Sequence, residues 1–105
     1  MKVFFDQGVP VPLRRHFPTH LVVTAAEAGW STLANGALLR AVVDEGFDVF
    51  ITTDQSLPHQ QRLSDLPLAV IVLGSTSWPR IQRHVRAVAD ALAQSSPGTV
   101  LAVPV

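Results

Sequence analysis

The sequence predicts a three-layer α/β/α domain with a mostly parallel sheet of four to five strands, and three observations predict it. Short apolar runs rich in aromatic and β-branched residues (Val3-Phe4-Phe5; Phe47, Val49, Phe50 and Ile51; Leu68 to Leu73) read as buried strands. The segments between them carry apolar residues at helical spacing, so strands and helices alternate, the pattern of a sheet covered on both faces. Two of the runs deliver an aspartate at their C-terminal end, Asp6 and Asp54. A chain of 105 residues corresponds to one domain. At that length roughly two-thirds of the unfolded surface is buried, enough for a core without disulfide or metal staples.

Taken in order, Lys2 to Phe5 is the first strand. Gln7 to Pro10 turns the chain, and Pro10 and Pro12 suit the start of a short helix. Leu13 and Phe17 share one side of that helix, with Arg14, Arg15 and His16 facing outward or toward the sheet rim. His20 to Thr24 is the second strand, and Ala25 to Trp30 a helical turn whose only carboxylate is Glu27. Asn35-Gly36 opens a helix with Leu38, Leu39, Val42 and Val43 in one stripe, and Gly46 closes it as a C-terminal cap. The third strand follows and finishes at Asp54. Gln55 to Pro67 is a polar loop or broken helix, and Leu68 to Leu73 a fourth buried strand. Pro79 starts a last helix with Ile81, Val85, Val88, Ala89 and Leu92 on its apolar stripe. Thr99 to Val103 is an edge strand, because Pro104 ends it.

Composition narrows the function classes. The chain is 48% hydrophobic and 15% charged, with eight basic and eight acidic residues and a net charge of zero. Strong non-specific attraction to nucleic acid is therefore not implied. With no cysteine, disulfides, thiolate metal sites and a cysteine nucleophile are ruled out. No apolar run approaches the length of a membrane span, and Asp6 interrupts any signal-peptide core, so the expectation is a cytoplasmic protein with no membrane partner. Arg80, Arg83 and Arg86 fall in one short window, read as solvated surface residues.

In an open α/β sheet, ligands bind beyond the carboxyl ends of the strands, so Asp6 and Asp54 are expected to share one rim. Two carboxylates held close repel unless one takes a proton or a cation sits between them. Oxygen ligands of this kind suit Mg²⁺ or Mn²⁺ and activation of water for attack on phosphorus. Asn35 stands at an N-cap position, where the helix N-terminus attracts phosphate. Gln7, His59, Gln60 and Gln61 neighbour the two aspartates in sequence. The four histidines lack metal-ligand spacing, and no glycine-rich phosphate loop or nucleophile elbow occurs. A haloacid-dehalogenase phosphatase would want a second aspartate where Gly8 stands, and a receiver domain would want a late lysine, whereas the only lysine is Lys2.

V-F-F-D, H-L-V-V-T, T-A-A-E-A-G-W, F-I-T-T-D, T-T-D-Q-S-L-P-H-Q-Q, V-I-V-L and S-W-P-R-I, taken together, resemble the short PIN-like domains of bacteria, relatives of the metal-dependent PIN ribonucleases. The resemblance covers nearly the whole chain and implies a PIN-like fold. In PIN nucleases an aspartate ends strand one, another acid opens a later helix, and a T-x-D element follows the next strand. Asp6 matches the first and Asp54 the last; the helix position holds Asn35, so the middle carboxylate is missing, with Glu27 as the substitute acid. The resemblance implies a Mg²⁺- or Mn²⁺-dependent ribonuclease in which Asp6 and Asp54 hold the metal and Asn35 orients its water or the phosphate. Arg14, Arg15 or Gln61 would then touch the RNA backbone. It also implies a toxin–antitoxin setting with a small antitoxin-like protein as partner. The alternative is a PIN-like protein- or RNA-binding module that has lost catalysis, and a further one is a homodimer subunit built on the last helix or edge strand, anchored by Trp78.

Overall fold

The computed structural model describes all 105 residues. Five strands, β1 (Lys2–Phe5), β2 (Leu21–Thr24), β3 (Val49–Thr52), β4 (Ala69–Leu73) and β5 (Val100–Val103), form one sheet in the order β2-β1-β3-β4-β5. Every neighbouring pair is parallel. β3 and β4 are buried along their whole length, which is why their sequences are continuous apolar runs rather than alternating ones. The edge strands are wetter: Leu21 on β2 and Val100 on β5 are exposed.

Successive side chains of each strand point to opposite faces, and the two faces gather different helices. One layer packs Val3, Phe5, Val49, Ile51, Ile71 and Leu73 against Leu13 and Phe17 of the first connection and against Ile81, Val88 and Leu92. Those last residues belong to α4 (Trp78–Gln82) and α5 (Val85–Gln94). The other layer sets Phe4, Phe50, Val70 and Val72 against Leu38, Leu39, Val42, Leu57 and Leu63. These come from α2 (Asn35–Asp44), α3 (Leu57–Gln60) and a 3₁₀ turn at Leu63–Asp65, while α1 (Ala25–Ala28) adds Ala25. The three-layer α/β/α arrangement is thus as the sequence predicts.

Several boundaries differ, each for a local reason. The predicted short helix is present as a 3₁₀ helix over Val11–His16, its chain closing with Phe17 N–H on the Arg14 carbonyl. Asn35 is the first residue of α2, not its cap; Ala34 holds the N-cap position and supplies no side-chain bond, which leaves the Asn35 amide free for a tertiary contact. The last helix is two helices, because Arg83 and His84 N–H close on carbonyls three residues back and the tightened turn separates α4 from α5. Gly46 follows α2 at φ +77°, a conformation only glycine adopts cheaply. The one lysine anchors the same end, with Lys2 Nζ donating to the Glu45 carbonyl at 2.7 Å and lying 4.3 Å from the centre of the Phe47 ring.

Candidate functional site at the strand ends

The strand order places the reversal of the chain's winding between β1 and β3. β2 lies on one side of β1, while β3, β4 and β5 continue on the other. A crevice at the carboxyl ends of the strands on either side of such a reversal is where ligands bind in this architecture. Asp6 leaves β1 and Asp54 follows β3, so the two predicted carboxylates flank that point.

One side chain joins them, and sequence reading passed it over. Thr52, the last residue of β3, is wholly buried. Its hydroxyl donates to Asp6 Oδ2 at 2.8 Å and accepts the Asp54 backbone N–H at 3.1 Å. A single buried group therefore orients one carboxylate and fixes the backbone that carries the other. The Gln7 backbone N–H donates to Asp6 Oδ1 at 2.8 Å, so both oxygens of this carboxylate are held. The signal was present in the sequence as a hydroxyl ending an otherwise apolar run.

Asp54 is held from the other side. Its Oδ1 accepts the Ser56 backbone N–H at 3.0 Å and the Ser56 hydroxyl at 2.7 Å, an Asx-type turn written as D-x-S. Its Oδ2 accepts from Asn35 Nδ2 at 3.3 Å, and the same amide lies 3.4 Å from Gln60 Oε1. The Ser56 hydroxyl, then the Ser56 backbone N–H and, more weakly, the Asn35 amide and the Leu57 N–H hold the Asp54 carboxyl below the usual carboxylate range, opposed by partial burial. Because the folded value is the lower one, the ionised carboxylate stabilises the fold above the unfolded value of about 4. That contribution disappears as pH falls through the folded value. Ser56→Ala removes the largest cause, so the Asp54 carboxyl is expected to titrate at higher pH, followed by carboxyl-carbon NMR. The variant should unfold at lower urea concentration than the parent at pH 7, with the gap closing in acid; a gap independent of pH would contradict this origin.

The remaining predicted residues divide between the rim and other work. Glu27 donates nothing to the pair: its Oε1 makes a 2.7 Å ion pair with Arg14 Nη1 and accepts the Thr24 backbone N–H at 3.0 Å. With Thr24 Oγ1 accepting the Glu27 N–H, this is a capping box on α1, legible as T-x-x-E. The Thr24 backbone N–H and Arg14 hold the Glu27 carboxyl below its usual range. Arg14 is in turn spent on Glu27 and on the Val22 carbonyl. Arg15 is exposed, and Gln61 lies half-buried beside Gly36 at the start of α2. No three histidine, aspartate or glutamate side chains converge anywhere in the fold.

Two further contacts shape the rim. Gly8 sits against the Thr53 hydroxyl and close to Thr76, so a Cβ there would displace the Thr53 side chain. The Gln55 amide donates to the Thr53 and Leu73 carbonyls, tying the loop after β3 to the end of β4.

Fold and rim together define an open, all-parallel α/β domain with two oriented carboxylates at its switch point. Comparison with protein-family models, with curated proteins and with solved structures finds no match to this chain. No helix is long and apolar enough to cross a membrane.

Proposed function

We propose that this protein is a PIN-like, Mg²⁺- or Mn²⁺-dependent ribonuclease whose cation is held by Asp6 and Asp54. The observation that carries the reading is the Thr52 hydroxyl, which ties the Asp6 carboxylate to the backbone of Asp54 at the switch point. The donor set fits a hard cation: two carboxylates supply oxygen only, and Mg²⁺ uses one or two carboxylates while keeping several waters. A cation bound there supplies charge neutralisation and an activated water for phosphodiester cleavage.

The chain's own residues have distinct tasks in this reading. Thr52 and the Gln7 N–H aim Asp6, and Ser56 and Asn35 aim Asp54. Asn35 is then a positioning residue, because it turns an N–H toward Asp54. The depressed Asp54 carboxyl keeps its negative charge into mild acid, which favours cation binding over protonation. Arg15 and Gln61 remain available to an RNA backbone; Arg14 would have to leave Glu27 first.

The second reading is a PIN-like module that binds protein or RNA without cleaving it. Its support is specific: Asn35 stands where a third acid is expected, and Glu27 is committed to Arg14 and the α1 cap. Manganese titration followed by NMR separates the two. For a nuclease, paramagnetic broadening centres on Asp6 and Asp54, Asp6→Asn abolishes it, and Asp54→Asn abolishes manganese-dependent RNA cleavage. Undisturbed signals at both residues in millimolar manganese would sink the nuclease reading.

A further inference from the structure

A groove of about 880 Å³ runs along the outer side of α2, between that helix and the segment carrying α3 and the Leu63–Asp65 turn. Its head is at the rim, where Gly36 and Gln61 face each other one residue beyond the Asn35–Gln60 contact. Both walls run in the same direction. α2 starts beside Asp54 and ends before β3, and the opposite segment leaves Asp54 and ends before β4.

That shared direction orders the charges. Down the α2 wall come Arg40 and then, one turn on, Asp44; down the other come Arg62 and then Asp65. In chain order, then, an arginine precedes a carboxylate on each wall, counting from the rim. Val43 and Leu66, both half-buried, supply apolar surface between the walls. None of the four charged side chains makes an ion pair or a hydrogen bond, although they line one groove; the ion pair in this fold is Arg14–Glu27.

We propose that this groove binds a nucleotide. Its phosphate sits between Arg40 and Arg62, its nucleoside covers Val43 and Leu66, and its amine and hydroxyl donors meet Asp44 and Asp65. Arginine forks match phosphate in pairs, and the volume falls within the range of small-ligand sites. Other chemistries fit less of the lining. Inorganic phosphate leaves the apolar surface bare, and an uncharged apolar ligand desolvates four charges for nothing. A continuous polyanion would press its next phosphate against the two carboxylates. The ligand is therefore a free nucleoside monophosphate, whose sugar hydroxyls stay available as donors to the two carboxylates. The inference does not rest on the cation site, since neither Asp6 nor Asp54 lines the groove.

NMR titration with adenosine and cytidine 5′-monophosphates, with inorganic phosphate as control, tests this on the intact chain. Saturable shifts are expected at the amides of Gly36, Arg40, Gln61 and Leu66. Arg40→Gln and Arg62→Gln, both exposed positions, should each weaken binding at least about tenfold. Asp6→Asn should leave the affinity unchanged, so that failure of the cation site and failure of this groove are told apart. A 5′-phosphorylated trinucleotide should bind more weakly than the monophosphate, because its second phosphate meets Asp44 and Asp65; tighter binding would overturn this placement of the charges. The proposal is overturned by the absence of saturable shifts up to about 10 mM ligand, by inorganic phosphate binding as tightly, or by indifference to both arginine substitutions.

Discussion

Phe4→Ala is expected to lower unfolding stability by about 3–5 kcal/mol, the cost of deleting a large core aromatic that its neighbours cannot refill. Phe4 is wholly buried on β1, opposite Phe50 on the central strand β3. Its ring stacks on Phe50 with centroids 5.6 Å apart, meets Phe47 edge-on at 5.4 Å, and lies 5.7 Å from Trp30. Four aromatics thus lock β1, β3, the entry to β3 and the loop before α2 into one unit. Aromatic pairs of this kind add about 0.5–1.5 kcal/mol each beyond burial. Set against about 5–15 kcal/mol for a whole domain, the loss leaves little margin. Urea denaturation reads it as a lower midpoint at unchanged slope. A loss below about 1 kcal/mol would mean that the cluster is not packed as described, since core truncations rarely cost so little.

Thr52→Val is expected to cost about 1–3 kcal/mol although it preserves shape, because it removes only the hydroxyl. The Asp54 N–H loses its acceptor and Asp6 Oδ2 its donor, both beside a fully buried side chain. Thr52→Ser is the matching control: it keeps both bonds and loses a methyl group, at about 1 kcal/mol. The two variants should also part in manganese binding, with serine retaining it and valine weakening it as Asp6 and Asp54 lose their common tether. Equal affinity in both would show that the tether has no part in the site. Equal stability of Thr52→Val and the parent would remove the buried bridge itself.

How much of this was legible beforehand follows from the range of each interaction. Strand ends were readable to within a residue or two, since a polar residue closing an apolar run is a local pattern; β1 spans Lys2–Phe5 as expected, and β5 lies at an edge as Pro104 indicated. The split between α4 and α5 was not, because it turns on hydrogen bonds closing at Arg83 and His84 rather than on any helix-breaking residue. Glu27 illustrates the converse. Its T-x-x-E capping box was in plain view, and that local reading accounts for the residue better than a place in the acid pair.

By itself, then, the sequence determined the layered α/β architecture, since alternating buried runs and amphipathic segments can satisfy their backbone bonds and hide their apolar faces in few other ways. It also determined that aspartates stand at two strand ends. Only the tertiary structure decided that β1 and β3 are neighbours flanking the winding reversal, that Thr52 couples their aspartates, and that Asn35 turns to Asp54. These are contacts between residues 19 to 46 positions apart, made after the sheet assembles, and no local periodicity encodes them.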